Sequence, residues 1–447
     1  MPHDYQQDIA QYERELESAR QTEDRRAEAE TLSKIGTAYF MLDNTDALDC
    51  YQAAISIARE LNDKPLEIDQ LKNFGCFYWR SRDYDQSLQF YTQALTLARE
   101  VGDRKREQVV LGWMGTAYSA KRDSAEALRC RLQALEISRE LGDQESISYN
   151  LVGVGTMYMA TGEQQRAIQS YEESLALNRS TGSRIWESRD LGMLANIYHQ
   201  MDDKQKAIDL YNEAISIARE INHQTFLMGH LNGLGYAYFF LQKDEQAINC
   251  FQETLEIARK RGDKRFEAQQ LNNLALVNTQ KTPKLAVSHY EQALAIAREK
   301  GNQSEIASTL NSLALSYFSL GDHQQSLNLH MEALTLARHI GDRDNEHHIL
   351  YALGGMYKQL GNHEAAIAYY KQSLSIKTEH SDRDLHAFSY DMLGNIYQER
   401  GELTTALDYY EQALSLFTFK NSTQFIKRIQ EKIAVLRRKI NGEDESS

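Results

Sequence analysis

Apolar residues recur along the chain with the spacing of amphipathic helices. One example reads Leu71, Phe74, Phe77 and Tyr78, followed by Leu88, Tyr91, Leu95 and Leu97. Residues three and four positions apart lie on the same face of an α-helix, so each run predicts a helix with one apolar side. Two such helices in close succession predict a helical hairpin.

The hairpin recurs at a nearly constant interval. The motif L-x-x-[LIFMV]-[GA] begins at Leu32, Leu71, Leu111, Leu151, Leu191, Leu231, Leu271, Leu310 and Leu350, with Tyr390 starting the tenth copy. Successive copies begin 39 or 40 residues apart, and a small residue before Leu or Ile keeps the same register from Ala54 to Ala413. A period of this length indicates a repeat architecture rather than several globular domains.

We therefore predict an all-α solenoid in which each hairpin buries its apolar face against its neighbours. The predicted array covers residues 24–421 in ten units: 24–62, 63–102, 103–142, 143–182, 183–222, 223–262, 263–301, 302–341, 342–381 and 382–421. Glycine and proline are expected to mark the helix ends. Gly102-Asp103, Gly142-Asp143, Gly262-Asp263 and Gly341-Asp342 each predict a left-handed stop followed by an N-cap. Pro65 and Thr282-Pro283 predict helix starts.

Such an array needs a capping element at each end. Residues 1–23 predict an unpaired second helix, because Ile9, Tyr12 and Leu16 repeat the apolar pattern found one period later. Residues 422–440 predict a closing helix with an apolar stripe at Phe425, Ile429, Ile433 and Leu436. Its basic residues, Lys427, Arg428, Lys432, Arg437 and Arg438, are expected to form a solvated outer face. The acidic residues 441–447 predict a disordered tail.

Composition and charge narrow the classes of partner and compartment. The chain has 50 Lys and Arg against 64 Asp and Glu, a formal net charge of −14. Because this surplus repels phosphate groups, no nucleic-acid partner is expected. The longest apolar stretch, Tyr236 to Leu241, is too short to cross a bilayer, so no membrane insertion is expected. The four cysteines, Cys50, Cys76, Cys130 and Cys250, form no C-x-x-C pair, which favours a reducing, cytoplasmic location.

The sequence carries no motif that predicts catalysis. Neither a phosphate-binding G-x-x-x-x-G-K-[ST] nor a G-x-G-x-x-G between strand and helix occurs. A metal site needs suitably spaced ligands, and His347 and His348 point about 100° apart on a helix. The late histidines are instead expected at the surface: His323, His330, His339, His347, His348, His363, His380 and His386. Cys50, Cys130 and Cys250 share one helix position that predicts packing. We predict a non-enzymatic protein with no cofactor and no metal.

The repeat resembles the tetratricopeptide repeat. Its first helix carries L-G-x-x-Y, as at Leu234-Gly235 with Tyr238, and its second carries A-x-x-x-[FY], as at Ala207 with Tyr211. Two features differ from the common form: the longer period, and A-R-E-[LIV]-[GN]-D in place of a proline near the end of the second helix. These features are similar to the Pins/LGN class of adaptors and to long bacterial arrays, notably cyanobacterial ones. The resemblance implies a right-handed superhelix.

The resemblance also implies a concave groove, lined by the first helices, that holds an extended peptide or a partner's helix. Transferring the family's inward-facing positions to this chain gives Asn73, Trp79, Trp113, Met159, Asn196, Asn232, Tyr236, Phe239, Asn272, Asn273, Asn311 and Phe318. Exposed aromatic side chains often mark interfaces, although they can also pack between neighbouring first helices. Asparagine amides can bond a peptide backbone, and they also cap helices and bind water.

These observations predict a scaffold or adaptor that binds a protein or peptide partner. The alternative is a regulatory sensor in which a ligand tightens the superhelix and switches a separate effector protein. The groove lacks the Lys/Arg-rich clamp with which some relatives hold a C-terminal carboxylate, and Arg80 and Lys358 are a thin substitute. A strictly C-terminal ligand is therefore not expected.

Overall fold

A computed structural model describes residues 5–42, 44–376, 383–418 and 423–441. These ranges consist of α-helices joined by short turns, with no strand among them, which confirms the predicted all-α fold. The helices are α1 Tyr5–Gln21, α2 Arg25–Met41, α3 Ala47–Glu60, α4 Lys64–Arg80, α5 Tyr84–Glu100, α6 Arg104–Ala120, α7 Ser124–Leu141, α8 Gln144–Ala160, α9 Gln164–Thr181, α10 Arg184–Gln200, α11 Lys204–Glu220, α12 Gln224–Phe240, α13 Asp244–Arg261, α14 Lys264–Asn278, α15 Pro283–Lys300, α16 Gln303–Ser319, α17 His323–Ile340, α18 Arg343–Gln359, α19 His363–Ser375, α20 Arg383–Glu399, α21 Leu403–Thr418 and α22 Thr423–Asn441.

The helices alternate between two roles. Each predicted unit contains one even-numbered first helix, from α2 to α20, and one odd-numbered second helix, from α3 to α21. α1 precedes the first pair, and α22 follows the last. The exact unit boundaries and the handedness of the superhelix remain predictions. The predicted tail beyond residue 441 lies outside the described residues.

The chain divides into two compact units, Met1–His230 and Leu231–Ser447. In the first unit, α2 contacts α4 and α4 contacts α6, while each of these first helices also packs on its own second helix. In the second unit, α16 contacts α18 and α18 contacts α20 in the same way. First helices therefore form a row within each unit, and the apolar core lies between this row and the second helices.

The turns follow the predicted chemistry. Gly102, Gly142, Gly262 and Gly341 all have positive φ values between 66° and 70°. Each following aspartate accepts a hydrogen bond from the backbone N–H three residues later, as Asp103 does from Arg106 at 3.0 Å. Pro65 and Pro283 lie in the first turns of α4 and α15. Thr282 is the N-cap residue of α15 but makes no side-chain capping bond.

The A-R-E ending has a structural role at the junctions between hairpins. The arginine of one second helix donates to a buried glutamate in the next first helix, as in the Arg99 to Glu107 bond of 2.8 Å. Burial acts to raise the pKa of Glu107, but hydrogen bonds from Arg99 and Arg104 together outweigh it and lower that pKa. The same arrangement occurs at Glu28, Glu67, Glu187, Glu267 and Glu346. These ionic contacts join consecutive hairpins at the position where the common repeat has its proline.

One residue recurs at the same repeat position in every second helix, and we call it the wedge position, because in seven hairpins its side chain packs against the glycine of the L-G pair. It is occupied by Tyr51, Tyr91, Arg131, Tyr171, Tyr211, Phe251, Tyr290, His330, Tyr370 and Tyr410. Tyr91 is fully buried, and its ring lies 2.4 Å from where a β-carbon on Gly75 would be. The glycine is present because a side chain there would occupy the space of the ring.

The closing helix α22 partly differs from its prediction. The apolar stripe is confirmed, since Ile429, Ile433 and Leu436 are buried. Two of the basic residues expected on a solvated face instead bind Asp391 of α20, which is fully buried: Arg428 donates at 2.9 Å, and Lys432 also bonds it. Removing a carboxylate from water is costly unless it is paired, so these two cations serve to anchor the helix.

Candidate functional site

Three consecutive first helices enclose one cavity in the first unit. Its volume is about 290 Å³, and we call it the aromatic cavity. Each helix contributes one large aromatic residue: Trp113 from α6, Tyr149 from α8 and Trp186 from α10. The rest of the lining is Gln108, Val109, Gly112, Glu145, Ser146, Ser148 and Arg189. Tyr149 is 51% exposed although it borders an apolar space, an arrangement typical of a binding surface.

A buried polar network holds Arg189 at the wall of the aromatic cavity. Asp190 is fully buried and accepts hydrogen bonds from Ser174 at 2.6 Å and from Asn178 at 2.7 Å. Its other oxygen accepts from Arg189 at 2.9 Å, and Arg189 also donates to Ser148 at 3.2 Å. Burial raises the pKa of Asp190, against the opposing influence of Arg189. With its partners fixed, Arg189 has little freedom to reorient when a ligand arrives.

Arg189 also lies over the indole ring of Trp186, with the guanidinium carbon 4.6 Å from the ring centroid. A cation over an aromatic face is stabilised by the quadrupole of the ring. The contact orients the side chain of Trp186 toward the cavity before any ligand binds. Preorganisation of this kind lowers the entropy lost on association.

Among the predicted residues of the first unit, Trp113 alone lines the aromatic cavity. Trp79 lies beside it, with the two ring centroids 6.2 Å apart in an edge-to-face arrangement. Asn73 donates to Ser33 of the preceding first helix at 2.9 Å, so its amide joins neighbouring repeats. Met159 is half-buried against the apolar core. Asn196 is exposed and accepts from Tyr211 at 2.6 Å, which leaves its amide N–H groups facing solvent.

In the second unit the structure brings three predicted residues into one hydrogen-bonded group. Asn273 is buried, donates to Asn232 at 2.9 Å and accepts from Tyr236 at 2.6 Å. Because Asn273 also donates to Gln270, its amide is satisfied within the fold. Asn272 and Asn311, the other two predicted asparagines of this unit, are half-buried. Of the six predicted asparagines, only Asn196 is exposed, and three of them, Asn73, Asn232 and Asn273, bond a neighbouring first helix.

The remaining predicted aromatic residues of the second unit lie apart from one another. Phe239 is half-buried and borders a larger cavity of about 630 Å³ with Phe240, Leu276 and Val277. Phe318 is half-buried beside His323, with ring centroids 4.8 Å apart. The described lining of the cavity at Phe239 does not include the three aromatic residues from three helices that are found around Trp113.

Sequence reasoning missed Tyr149, Trp186 and Arg189. The predicted positions begin no more than two residues before the L-G pair, whereas these three residues lie one or two helical turns before it. Trp186, Arg189 and Met193 have the spacing of one helix face, as do Ser146 and Tyr149 on α8. The inward-facing positions of each first helix would have included Tyr149, Trp186 and Arg189 if they had been extended by two turns toward the N-terminus of the helix.

The late histidines were expected at the surface, and for two of them this is wrong, while His380 lies outside the described residues. His330 and His347 are both fully buried. His330 occupies the wedge position, where most repeats carry tyrosine, and His347 lies on the core face of α18, with its ring centroid 4.6 Å from that of His386. The expectation of exposure rested on the polarity of histidine alone. It did not take into account that both residues lie on the apolar face of their helices.

In the described part of the chain, no three or more His, Cys, Asp or Glu side chains are arranged to hold a metal ion.

Cys130 and Cys250 are buried, as packing predicts, and Cys50 is half-buried. Burial raises the pKa of the Cys50 thiol to about 11, so this thiol is protonated near neutral pH. None of the helices described has both the length and the apolar character needed to cross a bilayer.

The buried His330 predicts a specific dependence of stability on pH. Burial lowers the pKa of His330 to about 4 from an ordinary value of 6.5. Because the unfolded chain binds the proton more readily, stability is complete above pH 6.5 and is lost as the pH falls toward 4. Between pH 7 and pH 5 the wild type is expected to lose about 2 kcal/mol of its free energy of unfolding through His330. The His330→Tyr variant is not expected to show this part of the loss.

Urea unfolding followed by circular dichroism at both pH values measures this difference. His348→Gln, which alters an exposed neighbour on α18, is the control and is expected to keep the pH dependence of the wild type. Equal pH dependence in the His330→Tyr variant and the wild type would contradict the assignment.

Comparison with known proteins identifies a repeat family. The profile described as tetratricopeptide repeat matches residues 30–100, 106–180, 146–220, 227–299, 305–379 and 349–418. Comparison with curated proteins gives no match.

Three solved structures share the fold. A signal transduction ATPase with a tetratricopeptide repeat sensor from Pyrococcus horikoshii is 16% identical with a TM-score of 0.55, over 89% of this chain and 62% of that one. The apo quorum sensor NprR from B. thuringiensis is 15% identical with a TM-score of 0.52, over 74% of this chain and 98% of its own. The apo form of RapI is 17% identical with a TM-score of 0.50, over 62% and 99%.

Proposed function

This chain belongs to the tetratricopeptide repeat family, and on that premise we propose that it is a scaffold whose first helices bind a peptide segment of a partner protein. The aromatic cavity is the proposed anchor point. The binding role is non-enzymatic, and the partner is a protein or peptide rather than a nucleic acid.

The observation that carries this proposal is the convergence of Trp113, Tyr149 and Trp186 on one cavity. Interfaces are commonly anchored by tryptophan, tyrosine and arginine side chains in the centre of a contact surface. A cavity of about 290 Å³ matches the size of one or two side chains rather than a folded domain. The ligand that fits best is an extended segment that inserts an apolar side chain between the two indole rings.

The surroundings of the cavity supply groups for the peptide backbone. Asn196 presents its amide N–H groups to solvent on α10, the helix that also carries Trp186. Ser146 of α8 lies in the cavity lining. Such donors pair with backbone carbonyls whatever the side-chain sequence, which suits recognition of an extended segment.

A peptide selection with the full chain tests this function. Random dodecapeptides displayed on their own mRNA are selected against the immobilised protein, and enriched peptides are then made synthetically. We expect micromolar binders, and we expect hydrogen exchange in the complex to slow in residues 104–120, 144–160 and 184–200. Failure to enrich any peptide, or protection confined to other helices, would contradict the proposal.

The alternative is a sensor that changes shape when it binds. Two of the proteins that share its fold are described as a quorum sensor and as an ATPase with a repeat sensor. Small-angle scattering of the full chain with and without a selected peptide separates the two functions. A smaller radius of gyration in the complex favours the sensor, and an unchanged radius favours the scaffold.

A further inference from the structure

Arg131 replaces tyrosine at the wedge position of the third hairpin. Seven of the ten wedge positions carry tyrosine, and Arg131 is the only one with a permanent charge. It lies on α7 and passes between α6 and α8, where ideal β-carbons on Gly115 and Gly153 would come within 2.9 Å of its side chain. Both glycines make room for this side chain, as Gly75 does for Tyr91.

Among the residues that the structure describes, the buried guanidinium of Arg131 has no negatively charged partner. Only 8% of the residue is exposed. Its Nη2 group donates to Thr116 at 2.6 Å, while its buried Nη1 group has no acceptor among the described residues. No ion pair within those residues includes Arg131, and isolated buried charges are costly. Within the described part of the chain the positive charge of Arg131 is therefore not neutralised.

The unpaired Nη1 group lies beside Gly112, a residue of the cavity lining. An ideal β-carbon on Gly112, which lines the cavity, would lie 3.8 Å from Nη1. The same point is 3.9 Å from Oδ1 of Asn150, a buried acceptor that also has no donor among the described residues. On the adjoining side, the guanidinium carbon lies 5.2 Å from the ring centroid of Tyr149. Gly112, which has no side chain, thus lies next to both the cavity and these two atoms, of which Nη1 is the donor that an incoming oxygen can bond.

The other charges around the cavity do not neutralise Arg131. Arg189 is paired with Asp190 at 2.8 Å, so this pair has no net charge. Glu145 lines the cavity but is exposed, and water screens its charge. One unneutralised cation remains beneath the aromatic side chains, which matches a ligand group of charge −1.

We propose that the aromatic cavity binds a carboxylate of the peptide ligand, with an oxygen entering beside Gly112 to accept from Nη1 of Arg131. This inference rests on the proposed peptide-binding function and names the chemistry that the site selects. A guanidinium matches a planar carboxylate, and bonds between charged partners are the stronger class of hydrogen bond. A neighbouring apolar side chain of the peptide then lies between Trp113 and Trp186.

The test compares synthetic versions of one selected peptide. The first carries its Asp or Glu with an acetylated N-terminus and an amidated C-terminus, and the second replaces that residue by Asn or Gln. A third keeps the neutral residue but has a free C-terminal carboxylate. Affinity for the full chain is measured by isothermal titration calorimetry. Loss of at least about tenfold in the second peptide is expected, and recovery in the third would assign the carboxylate to the chain terminus instead.

Arg131→Tyr is the decisive variant because tyrosine already occupies this position in seven repeats. We expect the first peptide to bind it at least about tenfold more weakly, and the neutral peptide to bind it as it binds the wild type. Such coupling identifies a direct interaction. Phe251→Tyr, the same kind of change in the second unit, is the matched control and is expected to leave both affinities unchanged.

Gly112→Ala tests the route to Nη1. A methyl group fits without a steric clash, since its nearest neighbours are at ordinary contact distance, and alanine does not weaken a helix relative to glycine. We expect a midpoint of thermal unfolding no lower than that of the wild type, with at least about tenfold weaker binding of the acidic peptide.

Three outcomes would overturn the inference. They are selected peptides without any enriched acid, equal affinity of acidic and neutral peptides, and undiminished binding of the acidic peptide by Arg131→Tyr. Each of these leaves peptide binding itself intact. If the wild-type protein selects no peptide at all, the proposed function fails and this inference fails with it.

Discussion

Replacing Trp113 and Trp186 together by alanine is expected to weaken peptide binding by at least about a hundredfold while the chain remains helical. Both indole rings line the aromatic cavity. They lie on α6 and α10, the first helices that precede and follow α8. Truncation of a central anchor residue typically costs about 2 kcal/mol or more, and the two effects are not strictly additive. About 2.7 kcal/mol corresponds to a hundredfold change in the dissociation constant.

Calorimetric titration with a selected peptide measures the loss, and circular dichroism checks the helix content. Trp113 also packs against the core of the first unit, so a fall in stability needs a separate control. Tyr149→Ala provides one, because this residue is half exposed and its removal affects the cavity more than the core. Tyr369→Ala alters an aromatic residue of a second helix and is expected to leave affinity unchanged. Near wild-type affinity in the double variant would refute the cavity as the anchor point.

The second large effect is expected at the contact between Gly75 and Tyr91. A β-carbon at Gly75 would lie 2.4 Å and 2.6 Å from two ring atoms of a fully buried tyrosine. Alanine at the equivalent positions 195 and 275 shows that a helix pair can be arranged to accept one methyl group beside the ring. Valine adds two further carbons, so Gly75→Val is expected to destabilise the first unit by about 3 kcal/mol through overpacking.

Gly229→Val is the matched control, because this helical glycine is exposed and has no atom near its ideal β-carbon. Its change in stability is expected to be within about 0.5 kcal/mol. Adding Tyr91→Leu to Gly75→Val should recover part of the lost stability if the ring is the cause. Urea unfolding midpoints give all three values. A loss at Gly75 no larger than at Gly229 would contradict the packing explanation.

Helix positions were predictable because they depend on local chemistry. The left-handed conformation of Gly102 and the capping bond of Asp103 involve only residues next to one another in the chain. The same holds for Pro65 and Pro283 in the first turns of their helices. Repetition of these signals over ten units removed the ambiguity that a single copy leaves.

The candidate site was less predictable because it depends on contacts between side chains 36 to 41 residues apart in the chain. Trp113 was identified, yet Tyr149 and Trp186 complete its cavity only once α8 and α10 pack beside α6. Asn273 was predicted to face a ligand, whereas its amide bonds to Asn232 of the preceding first helix. An asparagine has the same local pattern in either role, so the neighbouring helix decides which one it has.

His330 and Arg131 illustrate the same limit. Both stand where the repeat has tyrosine, so an aligned sequence reveals the substitution. Whether the substituted group is buried, paired or directed at a cavity depends on the residues that surround it. For Arg131 these include three glycines from two other helices.

The amino-acid sequence by itself determined the helical hairpins, their period and the chemistry of the turns, because all of these arise from interactions within a few residues. Only the tertiary structure decided which polar groups are satisfied, which histidines are buried and which aromatic residues share a cavity. The physical reason is that stacking brings together side chains one or two repeats apart. The adjacent repeat sets whether each of these side chains is buried and hydrogen-bonded, and the spacing of residues within a single repeat does not encode these contacts.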